Sequence, residues 1–221
     1  RVIFLVGGEP DALVMAFDAR TGDEVWRALE TQTEMGYNQP MIIEEGGARQ
    51  LIVWHPRALS SLNPETGAVY WEEAFSGRAN MTVADAVKSG PYLFVSGFYS
   101  GSLMMRLDRD RPTAEALWRG ENNRVLEGGI EVAESTGLHA VMTTPLIDGD
   151  YIYGIGSHRQ VRGLLAETGE RVWEYQVQPR STAGVLSTAG DVVFSGTVDG
   201  FFFALVVLLG NLVAGNVFRG G

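Results

Sequence analysis

Cysteine is absent from all 221 residues. That excludes disulfides, thiolate metal sites, c-type haem attachment and cysteine nucleophiles. It leaves the compartment open, since a cysteine-free chain is stable in reducing and oxidising surroundings alike. Basic residues are also scarce, 17 Lys and Arg against 27 Asp and Glu, for a formal net charge of −10. A nucleic-acid binder needs a basic face to displace counterions from phosphates, and no Lys/Arg cluster occurs. Nucleic acid is therefore not an expected partner. The three histidines, His55, His139 and His158, show no helical or hairpin metal spacing and no His-Glu-x-x-His.

Long apolar runs are nearly missing too. "FFFALVVLLGNLVAGNVF" (201 to 218) is 18 residues with Asn211 and Asn216 inside it, short of the ~20 that a helical span takes. It is read as a buried strand pair, and no membrane span is expected. No signal peptide is visible, and the chain opens without Met in the apolar run "RVIFLVGG". That start is read as a piece of a longer or processed chain, ahead of which a signal would go unseen.

Glycine, by contrast, is abundant: 28 residues, nearly twice the usual share of ~7%. Frequent chain reversals explain it, because glycine reaches positive φ without steric cost. The reversals recur with one wording. "FDARTGDEVWR" (17 to 27), "LNPETGAVYWEE" (62 to 73) and "LLAETGERVWEY" (164 to 175) repeat a single phrase. In the first copy Asp18 is followed by Thr21, Gly22 and Trp26; in the second Asn63, Thr66, Gly67 and Trp71 keep the spacing. An Asp or Asn side chain accepts hydrogen bonds from backbone N–H groups further into a turn, and Gly supplies the left-handed residue that restarts the ladder. The phrase reads as strand, tight turn, strand ending in tryptophan. Gly22 and Gly67 are expected at positive φ, with Asp18 and Asn63 capping.

Other copies are imperfect. The third keeps Asp108 and Trp118 two residues further apart and lacks Thr-Gly; the fourth has Leu165 for the Asp but keeps Thr168, Gly169 and Trp173. The fifth starts with Ala204 and then places Val206, Leu209 and Ala214 at the Asp, Thr and Trp positions, with only Gly210 surviving. It is not expected to make the capped turn. Between the phrases lie short runs rich in Val, Ile, Tyr and Phe, too punctuated for helices. Trp26, Trp71, Trp118 and Trp173 are separated by 45, 47 and 55 residues, close to the ~40–50 of a four-stranded propeller blade. The expected fold is all-β: one domain over residues 1–221, a propeller of four-stranded antiparallel blades, about four with a degenerate fifth.

The phrase Ala-x-Asp-x-x-Thr-Gly-x-x-x-Trp, seen as Ala16, Asp18, Thr21, Gly22 and Trp26, resembles the tryptophan-docking motif of pyrroloquinoline-quinone-type β-propellers. "TTPLIDGDYIYGIGSHRQVRGLLAETGERVWE" (143 to 174) looks like one whole repeat of that superfamily. The resemblance implies radially arranged blades, each tryptophan docking on a neighbouring blade. It also implies one of two functions. Some members are quinoprotein dehydrogenases holding the quinone with calcium on the axis. Others, such as the outer-membrane barrel-assembly lipoprotein, are cofactor-free binding scaffolds. Full rings have about eight blades, so the chain is expected to belong to a longer propeller, with self-association of an incomplete ring or a smaller ring as the alternatives.

The scaffold reading is preferred, because every recognisable repeat residue serves blade architecture. No cofactor is expected on it, no catalytic or metal residue is assigned, and partners are other proteins reached through faces or loops of a periplasmic or secreted protein. The alternative is a quinone- and calcium-dependent dehydrogenase of alcohols or sugars. It is kept alive by "GVLSTAGDVVFSGTVDGFFFAL" (184 to 205), which looks like C-terminal blades of quinoprotein alcohol dehydrogenases but carries no catalytic residue over. Trp54 lies outside the phrase and is expected in the core. His158 and Arg159, at a hairpin tip where sister copies carry Gly101 and Gly200, are candidate loop contacts. "GENNRVLEGGIEVAESTGLHAVM" (120 to 142) is expected to hold blade strands plus an extended connection, with "NNR" (122 to 124) as a polar loop.

Overall fold

The computed structural model describes every residue except 8–10, 31–34, 78–79, 98–99, 121, 128–129, 141, 157–158, 178–182, 209–210 and 220–221. The described residues contain 21 strands and no α-helix. The first sheet has three strands, β1 (Val2–Leu5), β2 (Val14–Phe17) and β3 (Glu24–Ala28). The second is β4 (Met41–Glu45), β5 (Ala48–Trp54), β6 (Ala58–Leu62) and β7 (Val69–Ala74). The third is β8 (Val87–Ser89), β9 (Tyr92–Gly97), β10 (Gly101–Leu107) and β11 (Ala114–Gly120). A separate hairpin follows, β12 (Asn122–Glu127) with β13 (Ile130–Ser135). The fourth sheet is β14 (Leu146–Asp148), β15 (Tyr151–Ile155), β16 (Gln160–Leu165) and β17 (Arg171–Gln176). The fifth is β18 (Leu186–Thr188), β19 (Val192–Gly196), β20 (Phe201–Leu208) and β21 (Asn211–Arg219). Every sheet is a simple antiparallel meander in chain order.

Four core clusters hold the sheets in sequence. One joins Leu13, Val14 and Trp26 of the first unit to Leu51, Val53 and Leu62 of the second. The others join the second sheet to the third, the third to the fourth and the fourth to the fifth. Each unit therefore stabilises its neighbours, the energetics of a repeat array. A sheet sandwiched this way buries both faces of its middle strands: all five residues of β6 are buried, Ser60 and Ser61 included. The last strands β7 and β17 instead expose Val69, Glu72 and Ala74 on one and Arg171, Glu174 and Gln176 on the other.

Two expectations change in detail. The fifth copy, degenerate in its turn, forms a complete four-stranded sheet, and it is the first sheet that has three strands. Strand pairing there rests on the apolar faces of β19 and β20, where Val193, Phe203, Leu205 and Val207 are buried, and does not need the capped turn. The register also shifts. Ala204 pairs with Asn216 and Val206 with Ala214, so Asn216, not Ala214, stands opposite the counterpart of Ala16. Residues 209–210 of that turn lie outside the described set.

Within the run 201–218 β20 and β21 pair, as expected, but burial is one-sided among the described residues: Phe203, Leu205 and Val207 are buried while Phe202, Val217 and Phe218 are exposed. No helix among the described residues is long and apolar enough to cross a membrane. Among the described residues strands β12 and β13 pair only with each other rather than completing a four-stranded sheet, so "NNR" begins a strand instead of a loop.

Candidate functional site

The repeated phrase is a rim of turns whose polar atoms are spent on the backbone. Asp18 Oδ1 accepts from the N–H groups of Arg20 at 2.8 Å and Thr21 at 3.1 Å, and the Gly22 N–H donates to Asp18 O at 2.9 Å. Those N–H donors, the Arg20 amide first, hold the Asp18 carboxyl below its usual range. Asn63 does the same job without charge, its Oδ1 accepting from the Glu65 N–H at 2.8 Å. The Thr hydroxyl, given no role from sequence, accepts from the N–H two residues on: Thr21 from Asp23, Thr66 from Ala68, Thr168 from Glu170. Gly22, Gly67 and Gly169 sit at φ 79°, 76° and 72°. In the third copy Asp108 still caps, through the Asp110 and Arg111 amides. In the fourth, Leu165 offers only its carbonyl, to Gly169 N–H at 2.8 Å.

The tryptophans divide by the turn that each one meets. Trp26 Nε1 donates to the carbonyl of Pro64, in the next sheet's turn, at 3.2 Å. Trp118 Nε1 donates to the carbonyl of Ala166, the same turn position two sheets later, at 2.8 Å. Glycine permits both approaches: a Cβ on Gly67 would stand 2.8 Å from the Trp26 ring, and one on Gly169 2.6 Å from that of Trp118. Trp71 and Trp173 precede the two altered turns. Trp71 donates to Gln50 Oε1 of its own sheet at 3.1 Å, and the buried Trp173 Nε1 has no hydrogen-bond partner among the described residues. Opposite the tryptophans of the first, second and fourth sheets stand Ala16, Ser61 and Gly163, small residues over which an indole can lie. Trp54 is 1% exposed and stacks on Phe75 with ring centroids 5.7 Å apart.

His158 lies outside the described residues. Arg159 adopts φ 70°, as Gly101 and Gly200 do at 94° and 87°, and its N–H donates to Gly156 O as that of Gly200 does to Thr197 O. Arg159 thus carries a side chain where its counterparts have none, at the cost of a left-handed backbone.

A second feature is assembled from segments that run into the first strands. Gln39 N–H donates to Asp85 Oδ1 at 2.8 Å, and Asp85 N–H donates to Thr144 Oγ1 at 3.1 Å. The second, third and fourth sheets are therefore linked hand to hand ahead of β4, β8 and β14. Tyr37 and Met142, each three residues before a proline on these segments, are the more exposed side chains here, at 63% and 65%. Deeper between the third and fourth sheets, residues 136–140 are clipped by buried Ser96, Ser102, His139 and Arg162. Burial pulls the Arg162 pKa down and the carboxylate of Glu174, 2.9 Å from its Nε, pulls it back.

One cluster resembles a nucleophile and its base. His55 Nε2 lies 3.2 Å from Ser60 Oγ, both buried. Ser60, however, donates to Glu72 Oε2 at 2.9 Å, and His55 Nδ1 has no partner among the described residues. A catalytic triad needs the acid on the far nitrogen of the imidazole, so this wiring does not activate the serine. Two open grooves, of about 450 and 510 Å³, flank the Asp108 loop and the Gly46–Gly47 turn and carry charges of both signs. Calcium held with a quinone needs converging oxygen ligands. Among the described residues no group of three or more His, Asp or Glu side chains is placed to hold a metal.

A family model described as outer membrane protein assembly factor BamB matches residues 10–217. BamB from Moraxella catarrhalis superposes with a TM-score of 0.63 at 17% identity, over 94% of this chain and 59% of that one. Quinohemoprotein alcohol dehydrogenase from Comamonas testosteroni superposes with 0.55 at 16% identity, over 94% and 40%. At these identities the solved structures share the fold, a β-propeller, and the chain spans well under two thirds of each. Quinoprotein alcohol dehydrogenase PedE from Pseudomonas putida is 48% identical over 44 residues, 20% of this chain and 7% of that protein.

Proposed function

The chain belongs to the family described as outer membrane protein assembly factor BamB, and from that premise we propose that it is a non-catalytic propeller scaffold of the bacterial envelope. It binds other proteins through its loops and faces, needs no cofactor, and acts in the periplasm as part of a longer propeller. The observation that carries this reading is the use of the repeated polar residues. Asp18, Thr21, Asn63, Thr66, Asp108 and Thr168 are all engaged with the backbone of their own turns, which leaves the repeat to fold blades. Support for a longer ring is the 59% share of the Moraxella catarrhalis BamB that the chain spans. Support for protein partners is the family description and the exposed Tyr37 and Met142 beside the linked segments.

A second reading has its own observation, the 44-residue stretch 48% identical to PedE. On it, the chain is part of a quinone- and calcium-dependent dehydrogenase of alcohols or sugars. Titration with pyrroloquinoline quinone and Ca²⁺, followed by a dye-linked dehydrogenase assay, separates the two. The scaffold reading expects no saturable quinone binding and no turnover; sustained dye reduction dependent on both additions overturns it.

A further inference from the structure

Residues 136–140 pass between the third and fourth sheets and carry a histidine whose two nitrogens are both used. His139 is 1% exposed. The Gly101 N–H, at the start of β10, donates to its Nδ1 at 3.0 Å, and its Nε2 lies 3.2 Å from the Thr136 carbonyl. A backbone N–H can only donate and a carbonyl can only accept. The ring is therefore held as the neutral Nε2–H tautomer, with its Nδ1 lone pair committed to Gly101. Around it the strap is fastened at every step. Ser96 Oγ donates to Leu138 O at 2.9 Å and accepts from Ala140 N–H at 2.8 Å, while Leu138 N–H donates to Ser102 Oγ at 3.1 Å. From the other side Arg162 Nη1 donates to Gly137 O at 2.7 Å, and Ala140 bridges Gly156.

We propose that residues 136–140 form a pH-sensitive latch in which a proton on His139 Nδ1 unfastens the strap from the third sheet. The proton comes from solvent and takes the lone pair that receives Gly101 N–H, leaving two N–H groups pointed at each other. Among the described residues the charged groups bordering the strap include Arg162 on β16 and, through it, Glu174 and Arg171 on β17, which meet at Glu174 Oε2. The third sheet presents the neutral hydroxyls of Ser96 and Ser102. The proton thus removes the acceptor that ties the ring to Gly101 on the third sheet, and the ring leaves with the strap. The hairpin β12–β13 runs directly into residue 136, and release of the strap loosens its anchorage on the propeller. Ser96, Ser102 and Arg162 hold the strap by its backbone, and His139 adds a fastening whose acceptor a proton removes.

Amide hydrogen exchange of the intact chain between pH 8 and pH 5, corrected for the intrinsic rate at each pH, tests this. The expected result is a loss of protection of at least about tenfold at Gly101, Leu138 and Ala140 as the imidazole titrates, with Ile52 in the second sheet unchanged. His139→Asn, whose side-chain oxygen can still accept from Gly101, should hold its protection across the range. Unchanged protection of the wild-type strap down to pH 5 would sink the proposal, and so would the same loss in the asparagine variant. If that variant does not fold, ¹⁵N shifts of the wild-type imidazole decide. His139 must gain its second proton over the pH range in which Gly101 loses protection; a ring that stays neutral through that loss overturns the latch.

Discussion

The indole N–H of Trp26 donates to the carbonyl of Pro64 at 3.2 Å, and the same ring lies over Gly67. The last strand of one sheet is thus fastened to the turn of the next by the two ends of one side chain. Gly22 has the same left-handed backbone as Gly67, φ 79° against 76°, but a Cβ on it would meet nothing within 4 Å. The two glycines therefore separate backbone strain from a close approach. Gly22→Ala should cost about 1 kcal/mol. Gly67→Ala should cost about 2–4 kcal/mol, since it must also displace Trp26. Urea unfolding of both variants checks this, and equal losses would mean that the indole has room to move.

The tryptophans differ in a way that phenylalanine exposes. Trp26→Phe removes a made hydrogen bond and should cost about 1–2 kcal/mol. Trp173→Phe removes a buried N–H that has no partner among the described residues, so it should be close to neutral, or stabilising by up to about 1 kcal/mol. Thermal unfolding of the two variants side by side reads the difference. A loss at Trp173 as large as at Trp26 would show that its N–H does find an acceptor.

Asp18 and Asn63 cap equivalent turns, one with a charge and one without. Hydrogen bonds from the Arg20 and Thr21 amides lower the Asp18 pKa on folding. A carboxyl depressed in the folded state binds protons less readily there than in the unfolded chain. Its contribution is therefore complete above the ordinary carboxyl pKa and is lost as pH falls through the lower folded value. Asp18→Asn should keep the cap, as Asn63 does, and lose that acid dependence. Chemical denaturation from pH 6 to pH 3 tests it; an unchanged acid slope in the variant would place the dependence elsewhere.

His55 gives a dependence in the neighbouring window. Burial lowers its pKa below the ordinary 6.5, with Glu72 opposing and Arg57 assisting. The unfolded chain then binds more protons than the folded one just below pH 6.5. The stability of the neutral imidazole is complete above that value and falls as pH descends toward the folded pKa. His55→Gln should flatten this part of the stability profile between pH 7 and pH 5. A variant whose profile parallels the wild type would mean that His55 titrates as freely folded as unfolded.

The repeat was legible in the sequence because its residues act locally. Asp18, Thr21 and Gly22 complete their turn within six residues of chain, and Val, Ile and Phe runs mark the strands between. The polar clamps were not legible. Ser60, Ser61, Ser96 and Ser102 sit in strands, where serine reads as solvent-facing. They are fully buried because the middle strands of a sheet packed on both sides have no solvent face. His139 could have been flagged only as an isolated histidine, since its partner Gly101 comes from the third sheet, 38 residues away. Nor does the phrase alone say which tryptophan finds an acceptor, because that depends on the turn one sheet later.

Gln50 owes its role to this dependence on the next turn. The third turn lacks Thr-Gly, and its Arg111 carbonyl crowds Gly46 so closely that a Cβ there would collide. Trp71, in the strand before that turn's sheet, donates to Gln50 Oε1 at 3.1 Å, which Ser61 Oγ also reaches at 2.7 Å. Gln50 is fully buried, and its Nε2 is engaged by Glu45 O. It thus replaces, from within one sheet, the acceptor that Pro64 and Ala166 supply from the next. Gln50→Leu should cost about 2–4 kcal/mol, because it strands two donors and a carbonyl in the interior. In a Trp71→Phe background the loss should shrink by about 0.5–1.5 kcal/mol, the coupling expected of a direct partner. Trp26→Phe, one sheet away, should show no such coupling to Gln50→Leu. The double-mutant cycle is read by urea unfolding, and additive losses for Gln50 and Trp71 would show that the indole rests on packing alone.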